Sequence, residues 1–271
     1  MIGTVIDIET TGWLEFDKST GSSTLSDGSE ILEVGFITFD MNTIKILSHG
    51  TLYFYKPYFN VESDAQRVHG LTREFLKQYE SQFNRNLVAL NSLIQNTCII
   101  GKNSRKFDMP YIKAFLKKHA PESFDIEDLT IKLGMKAYNG GKVHYVDPTY
   151  GLDMQELYKE KFHERHYDKY TYFQNEIIKN NMVASPELIA KFESTYHETF
   201  DYDKIIHMPM LTPKKKGKLE DYVDCIPNGF NMVNSFYAGL SKDRETGAHG
   251  ALYDAVLTFV VWLDARIAGL C

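Results

Sequence analysis

The chain opens on IGTVIDIET, an apolar, β-branched run interrupted only by Asp7 and closed by Glu9. Such a run predicts a strand over Ile2–Ile8. Residues two apart on a strand share a face, so Asp7 and Glu9 project together while Ile6 and Ile8 point the other way. Two carboxylates on one face, among apolar neighbours, repel each other and lose hydration. Basic partners, a shared proton, backbone N–H groups or a divalent cation would each relieve this. If the strand ends at Ile8, Glu9 sits instead in a solvated turn, TTG.

Asp17–Ser29 (DKSTGSSTLSDGS) has the composition of a loop. Glu30–Phe39, Thr43–Leu47 and Thr51–Tyr55 then read as an antiparallel meander, stopped by Pro57. Helical spacing covers residues 63 to 97 with a break near His69-Gly70, Cys98–Gly101 is a short buried strand, and a helix follows over Pro110–His119. Val143–Val146 and Leu152–Leu157 read as the starts of a further strand and helix. From Glu160 to Gly217 the texture is aromatic and helical. There Ser185 and Pro186 mark a helix start, with Leu188, Phe192, Tyr196 and Phe200 recurring every fourth residue. Ala251–Ile267 closes the chain as a strongly apolar helix. Strands and helices alternating after an antiparallel start indicate a layered α/β or α+β fold with a mixed sheet. We expect a single domain over 1–271, with 160–217 as an insertion.

Composition adds limits. With 271 residues, 43% of them hydrophobic and 24% charged, the chain supports a substantial core. A net charge of −6 excludes a wholesale basic coat for duplex nucleic acid and leaves only local patches such as Lys214–Lys218. That run serves equally as a phosphate track or an exposed hinge. Three cysteines are too few for a disulfide scaffold or zinc knuckle. No apolar run is long enough to span a bilayer and no leader precedes the first strand, so a cytoplasmic, reducing compartment and no membrane are expected.

Two more acids stand where chemistry gathers. Asp108 lies between a buried strand and a helix, where ligand sites in α/β sheets concentrate, although an N-cap role explains it as well. Asp254 lies in the apolar closing helix, away from the stripe of Leu252, Val256, Phe259 and Leu263, with no Lys or Arg within a turn. It is either at an exposed edge or beside a strong positive charge, and a cation is a serious candidate. His249 precedes it by five residues. His163 and His166 have a spacing that could hold zinc, but no third ligand is in register.

In order, these pieces are DIET, N-x-x-x-F-D and H-x-A-x-x-D. They resemble the DEDDh branch of the DnaQ-like, RNase T superfamily of 3′→5′ exonucleases. SEILEVGFITFD, AQRVHGLT, IIGKNSRKFDMPYI, GLDMQELY and KLEDYV are similar to further segments of that family, so the resemblance covers roughly 1–158 and 218–271. Lys102 departs from it, standing where His is frequent, and Gly250 stands where Arg is frequent. The resemblance implies an RNase H-like mixed sheet, an antiparallel meander followed by parallel strands, flanked by helices and carrying a helical insertion.

It further implies two Mg²⁺ or Mn²⁺ ions held by Asp7, Glu9, Asp108 and Asp254, with Asp7 between them and His249 as general base. The implied substrate is a single-stranded 3′ end, DNA favoured over RNA, released as nucleoside 5′-monophosphates. Thr10, Trp13, Leu14, His69, Asn103 and Phe107 are the candidate substrate contacts, Trp13 being best placed for base stacking. A polymerase or replication partner is admitted. The alternative is a catalytically weak module that binds nucleic acid or a polymerase on the same fold.

Overall fold

A computed structural model describes residues 1–12, 15–17, 22–24, 29–95, 97–105, 107–119, 135–137, 143–145, 151–208, 217–240, 242 and 249–271. The chain divides into two compact units, the first formed by Met1–Met154 with Gly239–Phe259, the second by Gln155–Ala238 with Val260–Cys271. The expected insertion at 160–217 thus falls inside a larger unit that begins at residue 155.

The first unit is built on a five-stranded mixed sheet whose strands lie in the order Ile46–Tyr53, Ile31–Asp40, Ile2–Thr10, Cys98–Gly101, Gly151–Asp153. Its strands are β1 (Ile2–Thr10), β4 (Ile31–Asp40), β5 (Ile46–Tyr53), β6 (Cys98–Gly101) and β9 (Gly151–Asp153). β1 pairs antiparallel with β4, and β4 with β5, while β6 lies parallel to both β1 and β9. This is the expected mixed sheet, an antiparallel meander followed by parallel strands.

Three sequence expectations change in detail. The two strands expected at Thr43–Leu47 and Thr51–Tyr55 are one strand, β5, because pairing with β4 continues through Ser48, His49 and Gly50, after a turn in which Asp40 Oδ1 accepts the N–H groups of Asn42 and Thr43. At the start of the loop expected at Asp17–Ser29, Glu15–Asp17 (β2), which begins just before it, pairs with Ser22–Thr24 (β3) as a small hairpin. A second hairpin joins Met135–Ala137 (β7) and Val143–Tyr145 (β8).

The broken helical region resolves into α1 (Ser63–His69), α2 (Arg73–Lys77) and α3 (Phe83–Ile94), with Gly70 in the left-handed conformation that ends α1. Helix α4 begins at Asp108 and runs to His119, so Asp108 belongs to the first turn. The rings of Phe54, Phe83 and Phe115 meet edge to face within the core beneath α3 and α4.

The second unit is helical: α5 (Met154–His166), a five-residue π turn (Tyr167–Thr171), α6 (Tyr172–Lys179), α7 (Pro186–Tyr196), α8 (Tyr202–His207), α9 (Leu219–Asp224) and α10 (Gly229–Ala238). Ser185 caps α7 by accepting the Leu188 N–H, as its sequence indicates. Phe200 lies beyond the helix end, since His197 turns left-handed, yet its ring still packs on Phe192. Arg165 pairs with Asp264 at 2.8 Å, and the buried Lys169 ammonium pairs with Glu198 at 3.0 Å. The closing helix α11 (Ala251–Ile267) supplies its first turns to the first unit and its last to the second. Among the described residues no helix is long and apolar enough to cross a membrane.

Candidate active site

The site forms where β1 outruns its parallel neighbour. β6 pairs with β1 only at Gly3–Val5, so the last five residues of β1 extend past the end of β6. Burial alternates along this overhang, with Ile6 and Ile8 in the core and Asp7 and Glu9 only partly exposed. The solvated-turn alternative for Glu9 is removed, since Glu9 lies in the strand opposite Glu33 of β4.

Asp254 reaches this edge because of a glycine. Gly35 of β4 is the strand partner of Asp7, and the first turn of α11 crosses directly over it. A Cβ at residue 35 would lie 2.2 Å from the backbone C of Ala251 and from the N of Leu252. With no side chain in the way, the helix seats on the sheet opposite Asp7. One carboxylate oxygen from each of Asp7, Glu9 and Asp254 lies within 4.8 Å of the others.

Asp108 approaches from the other side. Its carboxylate accepts hydrogen bonds from its own backbone N–H and from that of Ile8, on the overhanging edge of β1. Helix α4 is tied to the same strand ends. The Tyr111 hydroxyl lies 3.4 Å from the Gly12 carbonyl, and the buried Glu30 carboxylate pairs with Lys118 and His119, each at 2.6 Å.

The electrostatics follow from this crowding. The Asp7 carboxyl is pushed well above the ordinary carboxylate range, first by burial and then by the charges of Asp254, Asp108, Glu9 and Glu33. Asp108 is pushed up to about 7, again chiefly by burial, with the charge of Asp153 adding to it and that of Lys102 opposing it. These carboxylates therefore share one field. Every donor in it is a hard carboxylate oxygen, and the repulsion among them calls for positive charge, a combination that fits Mg²⁺ or Mn²⁺.

The other candidates are distributed unequally. His249 is exposed in a left-handed turn just before α11, where the Gly250 carbonyl accepts the Asp254 N–H. Asn103 is half-buried with φ 61°, and the half-buried Phe107 ring packs 5.7 Å from that of Tyr111. Thr10 and His69, expected on the substrate surface, are buried and bonded within their own turns. The Thr10 hydroxyl donates to the Gly12 carbonyl, and His69 Nδ1 accepts the Leu71 N–H. Trp13, Leu14 and Lys214–Lys216 lie outside the described residues. His163 and His166 join no group of three potential ligands among the described residues.

Sequence reasoning missed Glu33 and Asp153. Both are buried acids whose charges are felt in the site, Glu33 across from Glu9 and Asp153 beside the turn that leads to Asp108.

A mixed sheet in this order, flanked by helices and with acids from one overhanging strand and two helices at its end, is the RNase H-like fold. The RNase T exonuclease family model matches residues 4–168, more than half of the chain, and the chain belongs to that family. E. coli exonuclease I, solved with a dT13 oligonucleotide, has the same fold at 12% identity, with a TM-score of 0.50 over 98% of this chain and 40% of that one. A 3′-exonuclease solved in recognition of a histone mRNA stem-loop gives 0.43 at 10% identity, over 99% of this chain and 81% of that one. The chain thus spans about two fifths of the length of exonuclease I. No curated protein matches it by sequence.

Proposed function

We propose that this chain is a divalent-metal-dependent 3′→5′ exonuclease that shortens single-stranded ends, DNA in preference to RNA, releasing nucleoside 5′-monophosphates. The observation that carries this reading is the convergence of Asp7, Glu9 and Asp254 within 4.8 Å, with Asp108 in the same field.

In this reading Asp7, Glu9 and Asp254 would hold one Mg²⁺ or Mn²⁺ ion, and Asp108 with Asp7 would support a second. Bound ions would supply positive charge for the scissile phosphate and lower the pKa of a nearby water. His249, on its exposed turn, takes the proton from the attacking water at its imidazole. Phe107 and Asn103 flank the same strand end, where an aromatic face and an amide suit the terminal base and sugar.

The test uses 5′-labelled single-stranded DNA and RNA of equal sequence, incubated with Mg²⁺, with EDTA, and with the Asp7→Ala variant. Stepwise loss from the 3′ end is expected only for the unaltered chain with Mg²⁺, faster on DNA. Loss that persists in EDTA or in Asp7→Ala refutes the metal-dependent reading. Retention of full-length strands under every condition, with binding intact, points to a non-catalytic binding module.

A further inference from the structure

We propose that Asp153 is a positioning residue of this site: its carboxylate clamps the turn Asn103–Arg105 and thereby fixes where Asp108 stands relative to Asp7. The proposal rests on the reading of those carboxylates as a metal centre.

Between the end of β6 at Gly101 and the start of α4 at Asp108, the chain must reverse from strand to helix within six residues. The turn is tight, since a Cβ on Gly101 would lie 2.5 Å from the Cβ of Ser104. It also requires a left-handed residue, Asn103, a conformation that disfavours residues with side chains, though asparagine tolerates it better than most. Something has to hold such a turn in one shape.

Asp153 is placed to do so. It is the strand partner of Gly101, on the next parallel strand, and is 2% exposed. Its Oδ1 accepts the Asn103 N–H at 2.9 Å, and its Oδ2 accepts the Arg105 N–H at 3.3 Å. The turn passes the constraint on. The Asn103 carbonyl accepts the Phe107 N–H at 3.1 Å, and the Ser104 carbonyl accepts the Met109 N–H at 2.9 Å. Both neighbours of Asp108 are therefore tied, through one peptide turn, to the same buried carboxylate.

A turn alone does not need an acid here. Burying an ionised carboxylate is costly, and a serine or asparagine holds many such turns at lower cost. What a carboxylate adds is two acceptors, one for each N–H, and a negative charge behind Asp108. An asparagine would keep one acceptor and turn an NH₂ group toward the Arg105 N–H. Residues standing behind a ligand in this way typically govern metal affinity and turnover by about 10- to 100-fold.

The experiment compares the full chain with Asp153→Asn, using Mn²⁺ alone as the probe. Calorimetry gives the Mn²⁺ affinity, circular dichroism the melting temperature in EDTA, and a labelled single strand kcat and KM. We expect Mn²⁺ affinity to fall about 10-fold and kcat by about 10- to 100-fold, with KM nearly unchanged and part of the loss regained at higher Mn²⁺. Asp264→Asn, which weakens the buried pair with Arg165 in the second unit, is the control. It lowers the melting temperature and leaves Mn²⁺ affinity alone.

An Asp153→Asn protein that melts earlier but keeps the Mn²⁺ affinity and kcat of the unaltered chain overturns the proposal. Should that variant not fold, Asp153→Ser, which retains one acceptor, is read the same way. Failure of both to fold makes Asp153 a purely structural residue, and the proposal falls. Absence of any Mn²⁺ response or hydrolysis in the unaltered chain refutes the metal-centre reading itself, a result distinct from the others.

Discussion

Replacing Asp108 by asparagine is expected to stabilise the metal-free protein at neutral pH while abolishing its activity. Asp108 is 4% exposed, and its carboxyl is raised from the ordinary 3.8 to about 7, chiefly by burial. A group whose pKa is higher in the folded state than in the unfolded one binds its proton more tightly when folded. Its contribution to stability is complete below about pH 4, and it is lost as pH rises through about 7. Three pKa units at about 1.4 kcal/mol each set an upper bound of about 4 kcal/mol, which relaxation and water entry reduce. Asparagine keeps an oxygen for the Ile8 N–H and cannot ionise.

The assay is urea denaturation in EDTA at pH 5 and pH 8. The unaltered chain is expected to be less stable at pH 8, by a few kcal/mol, and Asp108→Asn to lose much of that difference. Asp7, raised by the same field, retains its own share of the pH dependence. Mg²⁺ is expected to stabilise the unaltered chain at pH 8 far more than at pH 5, and far more than it stabilises Asp108→Asn. A metal-free chain equally stable at both pH values, or an Asp108→Asn variant that is less stable at pH 8, refutes the reasoning.

Two further outcomes follow from the packing and the charge. Gly35→Ala places a methyl 2.2 Å from the backbone of Ala251 and Leu252, and backbone there cannot swing aside as a side chain would. We expect a loss of about 1–3 kcal/mol in urea melts together with a large loss of nuclease activity, as Asp254 is levered away from Asp7; full activity in this variant refutes the seating of α11. Lys102 makes no hydrogen bond or ion pair with the described residues, and its charge is felt at Asp108. If it meets a substrate phosphate, Lys102→Gln lowers the slope of log affinity against log salt by about 0.7 for a single strand, and an unchanged slope removes it from the interface.

Much of this site was legible because it lies in local pattern. Asp7 and Glu9 advertise themselves as acids in a β-branched run, where period-two alternation alone assigns them a common face. Asp254 is conspicuous as the acid in the first half of an otherwise apolar helix, and a physical question (what positive charge could it meet?) was enough to mark it. The expected antiparallel strands and the helix breaks near Gly70 rest on equally local signals. The strands expected at Thr43–Leu47 and Thr51–Tyr55 left a gap between them that pairing with β4 closes, carrying one strand straight through Ser48, His49 and Gly50.

The residues that escaped are those whose meaning depends on register between distant strands. Glu33 reads as an ordinary polar position in EILEVGF until the pairing of β1 with β4 sets it opposite Glu9. Asp153 reads as a helix-start acid in GLDMQEL until the parallel pairing of β9 with β6 aligns it with Gly101, below the turn that delivers Asp108. Gly35 is silent for the same reason, since nothing nearby in sequence reveals that a helix more than two hundred residues later must lie on it. Local pattern thus identified acids that could bind a cation, while the sheet register decides which glycine admits α11 and which buried acid steadies α4. That division explains why two of the site's most consequential positions, Gly35 and Asp153, need never touch a substrate: they set the distances among Asp7, Asp108 and Asp254 on which the proposed chemistry depends.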